Sequence, residues 1–173
     1  MSTSTIVLCP RLPGQEPAYD GADVVDAILD DARASGLRTL SPYATADAAD
    51  DLRTQRAHWV AQLAVALTTA GIVPPVLLVL GGASGAMAPA LGFAQKASRR
   101  AVSGYVLVDA ATPPADAGGG DWPDAPVAYV ASPAADPLEV NQARLRGWDV
   151  VEVASLAPDA LADAVLRRAV DQR

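Results

Sequence analysis

The residues whose types and spacing could do chemistry lie in segment 81–86, directly after an aliphatic run at 76–80. A turn of Gly-x-Ser-x-Gly type between a strand and a helix presents a serine hydroxyl, and small residues flank the serine because its backbone is strained. Ser84 fits this pattern, with Gly82 before it and Ala86 in place of the last glycine. The segment therefore predicts a nucleophile, and Ser84 is the first candidate.

Three other interpretations of the same segment stay open. In a second register that keeps glycine at both ends, Gly81 and Gly85, the nucleophile position falls on Ala83. The glycines could instead cradle a phosphate at the start of a helix, although neither Gly-x-Gly-x-x-Gly nor Gly-x-x-x-x-Gly-Lys-Ser/Thr is satisfied. The segment could also be a tight turn that needs small residues for packing alone.

Groups that could activate a nucleophile are few. A serine hydroxyl needs a positioned base, and the only histidine, His58, lies upstream of the turn, far from the usual place of a base. Asp109 and Asp136 each follow a predicted strand and could act as acid or general base, or as helix caps and loop acceptors. Cys9 ends the first predicted strand, where a thiol could be reactive or a small buried hydrophobe.

Alternating strands and helices must position these residues. The aliphatic run at 76–80 is typical of a central parallel strand that is buried on both faces. The whole pattern predicts a parallel, doubly wound sheet of about six strands with helices on both faces, in a single α/β domain over 1–173. Ligands bind such sheets beyond the carboxyl ends of the strands. The predicted strands cover 5–9, 37–40, 76–80, 102–108, 126–131 and 148–153, and the predicted helices cover 22–34, 52–70, 86–99, 136–146 and 158–171.

Large apolar residues support the helix at 52–70 and mark possible pocket walls. The helix is predicted from residues at helical spacing that share one side. These residues are Leu52, Trp59, Val60, Leu63 and Leu67. The three tryptophans, Trp59, Trp122 and Trp148, could line a pocket, although Trp148 is expected in the core.

Composition and charge exclude several classes of protein. The chain has 173 residues and a net charge of −7 without a basic stripe, which disfavours a nucleic-acid surface. Its single cysteine excludes an internal disulfide and a cysteine-built zinc site, and we expect no metal and no cofactor. No signal peptide is recognisable, and the longest apolar run, 72–80, is too short to span a bilayer. We therefore expect a cytoplasmic protein that has no membrane partner.

With these elements in order, the chain resembles the α/β-hydrolase superfamily. It is most similar to compact actinobacterial members that often sit among natural-product genes. The segments that carry the resemblance are 78–85, 89–91, 102–110, 121–123 and 143–148. The resemblance implies a minimal α/β-hydrolase-like fold without a cap domain, in which the first strand corresponds to the family's third and two earlier strands are missing.

The resemblance also implies roles for particular residues. It implies a nucleophile at Ser84 or Ala83 and an acid at Asp136, with Asp109 as the alternative acid. The family's histidine should follow the sixth strand, but the chain has none there. The oxyanion loop would cover 10–15. Together with the turn it supplies the expected substrate-binding residues: Pro10, Arg11, Leu12, Gly82, Ala83 and Gly85.

The leading hypothesis is a hydrolase-derived pseudoenzyme with a degenerate Ser-His-acid triad. It would bind a small metabolite or peptide and could tailor it by proton transfer, cyclisation or epimerisation, which need only a shaped pocket and one carboxylate. One alternative is a serine esterase or thioesterase that uses Ser84 with an unusual base such as His58. Another is a non-catalytic interaction subunit that buries a partner against helices 52–70 and 158–171, and a homodimer is a possible assembly.

Overall fold

One parallel sheet and its flanking helices make up the computed structural model of this protein, which describes residues 5–12, 22–45, 51–115, 122–155 and 157–171. The strands are β1 (Thr5–Leu8), β2 (Arg38–Leu40), β3 (Val76–Gly81), β4 (Val102–Val108), β5 (Val127–Ala131) and β6 (Asp149–Glu152). The helices are α1 (Ala22–Ala34), α2 (Leu52–Thr69), α3 (Ala88–Ala97), α4 (Pro137–Leu145) and α5 (Pro158–Asp171), and a 3₁₀ helix, Gly82–Met87, precedes α3.

The six strands have the order β2-β1-β3-β4-β5-β6, and every neighbouring pair is parallel. All their carboxyl ends therefore meet at one edge of the sheet, the carboxyl edge, and all their amino ends meet at the opposite amino edge. The winding direction reverses between β1 and β3, which is where ligands bind in such sheets. The predicted doubly wound α/β sheet is confirmed, and the turn after β3 borders the reversal.

Helices cover both faces of the sheet because successive side chains of a strand point to opposite faces. In β3, Leu78 and Leu80 pack with the buried sides of α2, α3 and α4, whereas Leu77 and Val79 pack with α1 and α5. Every residue of β3 is buried, as expected for the predicted central strand. Each face of the sheet thus carries its own apolar layer.

Helix α2 shows how the sequence sets both the start of a helix and its buried side. The Asp51 side chain accepts a 2.8 Å hydrogen bond from the Thr54 N–H, which caps the helix. Three residues at four-residue spacing form its buried stripe: Trp59, Leu63 and Leu67. Leu52, which was predicted on the same helical side, lies seven residues before Trp59 and is not part of the buried stripe. Leu52 is 69% exposed because it is the first helical residue, two turns before the stripe begins.

The segment predicted as one helix over 86–99 is divided in the structure. The 3₁₀ helix leads from β3 to Ala88, and Pro89 lies in the first turn of α3. A proline is favoured there because its missing N–H would have no partner inside the helix. No helix in the described part of the chain is long and apolar enough to cross a membrane.

Candidate functional site

The turn after β3 reverses the chain at Gly82. Its φ of 54° lies in the left-handed region that favours glycine, and the 3₁₀ helix begins at this residue. A hydrogen bond of 2.8 Å from the Ala111 N–H to the Gly82 carbonyl fixes the turn against the loop after β4. Hydrolases of this type present a nucleophile at the strained position of such a turn. Here a residue without a side chain occupies it, and neither register considered from the sequence, with Ser84 or Ala83 as nucleophile, falls on Gly82.

Ser84 lies two residues further on, inside the 3₁₀ helix. Its hydroxyl donates a 2.8 Å hydrogen bond to the Gly81 carbonyl and accepts a 3.2 Å hydrogen bond from the Gly81 N–H. Ser84 is only 1% exposed, and in the described part of the chain its hydroxyl has no histidine partner. The Ser84 side chain therefore pairs with the backbone of Gly81, the last residue of β3, and its role as a nucleophile stays a prediction.

Gly85 shows why this segment is made of small residues. A Cβ atom at Gly85 would lie 2.5 Å from the Ala111 carbonyl oxygen and 2.7 Å from the Ala110 Cβ. These neighbours are a backbone atom and a methyl group next to the backbone, which cannot rotate out of the way. The 3₁₀ helix thus packs directly on the loop after β4, and its contacts favour the tight-turn interpretation of the segment.

Asp109 follows β4 and joins it to the loop after β5. Its φ of 45° is uncommon for a residue other than glycine. Its Oδ1 accepts a 2.7 Å hydrogen bond from the Ser132 N–H, and its Oδ2 accepts a 2.5 Å hydrogen bond from the Ser132 hydroxyl. The Ser132 hydroxyl in turn accepts a hydrogen bond from the Ala134 N–H at 3.1 Å. Both oxygens of Asp109 therefore hold neighbouring strand ends together.

Asp136 and His58 stand apart from this hydrogen-bond network. The Asp136 side chain accepts a 2.8 Å hydrogen bond from the Leu138 N–H and caps α4, as in the helix-cap alternative. His58 lies in α2 with its side chain exposed. No hydrogen bond described for Ser84, Asp109 or Asp136 is made to His58. The structure therefore does not join these residues into a hydrogen-bonded triad, and their catalytic roles stay predictions.

The loop after β1 forms the other border of the winding reversal. The Cys9 N–H donates a 2.9 Å hydrogen bond to the Val79 carbonyl, and burial raises the pKa of the Cys9 thiol, which keeps it protonated. Leu12 is buried in the apolar layer with α2 and α3, Pro10 is half-buried and Arg11 is exposed. Residues 13–15 of the expected oxyanion loop lie outside the described part of the chain.

A cavity of about 310 Å³ opens at the carboxyl edge beyond β5 and β6. Its polar wall comes from Ser132, Asn141 and the ion pair between Arg144 and Glu152. None of these residues was predicted as a site residue, and the only signal was the Ser-Pro pair after β5, which marks a turn. Among the described residues, no three His, Cys, Asp or Glu side chains cluster as a metal site requires.

Several solved structures of α/β-hydrolases share this architecture. An extracellular α/β-hydrolase from a Paenibacillus species has a TM-score of 0.63 at 14% identity, covering 96% of this chain and 99% of that one. A serine hydrolase homologue from Coxiella burnetii has a TM-score of 0.62 at 16% identity, covering 97% and 85%. The NocB thioesterase domain from the nocardicin cluster has a TM-score of 0.58 at 15% identity, covering 98% and 94%.

This chain therefore has the α/β-hydrolase fold, and the resemblance inferred from the sequence is confirmed at the level of the fold. No protein-family model matches the sequence, and no curated protein matches it. A fold of this kind hosts many reactions. What this protein does thus depends on its own residues at the strand ends.

Proposed function

We propose that this protein binds a small organic metabolite or a peptide at the carboxyl edge of its sheet and does not hydrolyse it. The observation that carries the proposal is the turn after β3. Gly82 occupies the strained position without a side chain, and the Ser84 hydroxyl is buried and bonded to Gly81. A serine that attacks an ester must reach the substrate and have a base beside it, so these contacts support a scaffold role for Ser84.

Binding is supported by the cavity at the carboxyl edge. Its volume of about 310 Å³ is near the lower end of the range for small-molecule sites. Asn141 offers a neutral amide beside the Arg144–Glu152 ion pair, and alanine, proline and valine residues supply an apolar wall. The Ser132 hydroxyl already donates to Asp109 and accepts from Ala134, so it can only accept one further hydrogen bond. Such a lining suits a small molecule that has both polar and apolar parts.

The proposal extends to a tailoring reaction that needs one carboxylate, such as proton transfer, cyclisation or epimerisation. Val108 pairs with Gly81 across β3 and β4, so Asp109 follows directly beside the turn. Asp109 is half-buried and does not line the cavity, but its partner Ser132 does. In the proposed reaction the ligand replaces the Ser132 hydroxyl as the partner of Asp109 Oδ2, which then moves the proton. The likeness to a thioesterase domain from the nocardicin cluster supports a natural-product ligand. We also propose that the protein acts in the cytoplasm.

A fluorophosphonate probe and p-nitrophenyl butyrate test whether the protein hydrolyses esters. Fluorophosphonates react with activated serines, so we expect no labelling of the wild-type protein and no ester cleavage above the rate in buffer. Ser84→Ala should be indistinguishable from wild type in both assays. Labelling at Ser84 that this variant abolishes would favour the esterase or thioesterase alternative and overturn the proposal.

NMR with the same ester tests binding. We expect p-nitrophenyl butyrate to be recovered intact and to shift the backbone amide signals of Ser132 and Asn141. Asn141→Leu should weaken these shifts several-fold, whereas Asp163→Asn, on the exposed side of α5, should leave them unchanged. If the ester shifts no signal at the carboxyl edge up to its solubility limit, the proposal of a ligand site there is wrong.

A further inference from the structure

A second cavity lies at the amino edge of the sheet, and we call it the amino-edge groove. Its volume of about 630 Å³ is within the range of small-molecule sites. Val127 and Asp149 on its wall are the first residues of β5 and β6, which places the groove opposite the carboxyl edge. Prolines, two tryptophans (Trp122 and Trp148) and Arg146 supply most of the remaining wall. The groove is therefore distinct from the site considered above.

Arg146 is held in the wall of the groove by two contacts. Its Nη2 donates a 2.6 Å hydrogen bond to the Pro113 carbonyl, and its guanidinium carbon lies 5.0 Å from the centre of the Trp148 ring. Among the described residues no carboxylate pairs with Arg146, and Asp149 of the same wall is paired with Arg168. The groove thus presents an oriented positive charge in a protein whose net charge is −7.

The aromatic wall of the groove is a fixed cluster. The Trp122 ring packs edge-to-face on Trp148, with centres 5.7 Å apart, and on Tyr105, with centres 5.5 Å apart. The Tyr105 hydroxyl donates a 2.6 Å hydrogen bond to Asp124, which ties the cluster to the loop before β5. Side chains fixed in advance lose little freedom when a ligand binds, and aromatic pairs at such distances are favourable. Because Trp122 and Trp148 both line the groove, a flat ring bound there would contact this cluster.

We propose that the amino-edge groove binds a small planar carboxylate, with its ring against Trp122 and Trp148 and its carboxylate on Arg146. A guanidinium offers paired N–H donors that match the two oxygens of a carboxylate. The Pro113 carbonyl takes only one of the five N–H donors of Arg146. A neutral ring would gain the aromatic contacts alone, and an aliphatic acid would gain the ion pair alone. The groove consequently selects molecules that carry both groups.

Titration with 2-naphthoate and its neutral isostere 2-naphthamide tests the proposal on the unaltered protein. At neutral pH we expect saturable calorimetric binding of the acid, with the amide bound at least tenfold more weakly. The indole N–H NMR signals of Trp122 and Trp148 should shift, whereas that of Trp59, fully buried on the inner side of α2, should not. Equal binding of acid and amide, no binding at millimolar concentration, or shifts only at the carboxyl edge would each overturn the proposal.

Variants at Arg146 test the same point independently. Arg146→Gln should weaken the binding of 2-naphthoate at least tenfold and leave the binding of 2-naphthamide unchanged. Arg146→Lys keeps the charge without the paired donors, so its affinity for 2-naphthoate should lie between those of the wild type and Arg146→Gln. Arg167→Gln, on the exposed side of α5, is the matched control and should bind like wild type. Unchanged naphthoate affinity in Arg146→Gln would contradict the proposal. If Arg146→Gln does not fold, the ratio of the wild-type affinities for 2-naphthoate and 2-naphthamide still tests the proposal.

Discussion

Ser84 and Asp109 at the carboxyl edge differ from Arg146 at the amino edge in how the protein's own polar groups pair with them. At the carboxyl edge, the Ser84 hydroxyl is bonded to Gly81, and both oxygens of Asp109 are bonded to Ser132. At the amino edge, Arg146 is held by a carbonyl and a ring but has no carboxylate partner among the described residues. In the unliganded protein Ser84 and Asp109 at the carboxyl edge are thus hydrogen-bonded within the protein, whereas Arg146 at the amino edge is a charge in the wall of a cavity.

This difference supports the proposal that the protein binds its ligand without hydrolysing it. The α/β-hydrolase fold brings reactive groups to the carboxyl edge of the sheet. In this chain the turn after β3 has Gly82 at its positive φ, and Asp109 after β4 is bonded to Ser132 after β5. Substitutions at the carboxyl edge should therefore reduce stability more than comparable substitutions at the amino edge.

The largest effect is expected from Gly85→Ala, compared with Gly147→Ala at the groove. The added Cβ at Gly85 would meet the Ala111 carbonyl at 2.5 Å. At Gly147 no atom of the described residues, apart from its two chain neighbours, lies within 4 Å of an added Cβ, and the φ of 71° is what opposes alanine. We expect losses in the free energy of unfolding of about 3 kcal/mol for Gly85→Ala and about 1 kcal/mol for Gly147→Ala. Urea unfolding measures both, and equal losses would contradict the close packing of the turn.

Next in size is Asp109→Ala, compared with Asp136→Ala at the same edge. Removing the Asp109 carboxylate leaves the buried Ser132 N–H and hydroxyl without their partner, which costs about 2 kcal/mol. Asp136 is an exposed helix cap, so its loss costs about 1 kcal/mol. Asp109→Asn should recover part of the loss, because asparagine keeps an acceptor oxygen and tolerates a positive φ. A smaller loss for Asp109→Ala than for Asp136→Ala would show that Asp109 does not hold the strand ends.

The architecture could be predicted from sequence because its signals are local. The aliphatic run of β3 indicates a strand buried on both faces, and Asp136 followed by Pro137 marks the start of α4. Regular spacing of apolar residues likewise gave α1, α2 and α5 close to their observed bounds. The exposed Leu52 shows the limit, since spacing does not tell where along a helix the contact with the sheet begins.

The state of the turn could not be predicted because it depends on distant residues. Gly81, Gly82 and Gly85 could each adopt a positive φ, and sequence alone does not choose between them. The choice of Gly82 depends on the pairing of Gly81 with Val108 and on the hydrogen bond from Ala111, about thirty residues further along the chain. The groove depends in the same way on Trp122 and Trp148 meeting across two loops. Such contacts become visible only once the strands are in register.

Removing the hydroxyl of either of two buried tyrosines, one bonded at each edge, should change the free energy of unfolding by a smaller amount. The Tyr129 hydroxyl donates to the buried Ala110 carbonyl at the carboxyl edge, whereas the Tyr105 hydroxyl donates to the exposed Asp124 carboxylate near the groove. Tyr129→Phe leaves a buried acceptor unpaired and should cost about 1 kcal/mol. Tyr105→Phe leaves a carboxylate that water can solvate and should cost less than about 0.5 kcal/mol. The reverse order in urea unfolding would contradict the contrast between the edges.

The smallest effect concerns the last nucleophile candidate, Cys9. Burial raises the pKa of its thiol above the ordinary 9.0, so the folded protein keeps the proton at a pH where the unfolded chain releases it. Because the unfolded state then binds fewer protons, stability falls as the pH rises through 9.0. We expect a loss of about 0.4 kcal/mol at pH 9 relative to pH 7, from a single group at the midpoint of its unfolded titration. The buried tyrosines add to this loss only above about pH 10.

Cys9→Ala provides the control, since it should abolish this loss and leave a flat profile between pH 7 and 9. A second measurement is alkylation by iodoacetamide, which reacts with the thiolate. At pH 8 the native protein should react far more slowly than the urea-unfolded protein. Fast alkylation of the native protein would mean that the thiol is accessible and ionised. The carboxyl edge would then carry a reactive thiolate, which would contradict the contrast between this edge and the amino-edge groove.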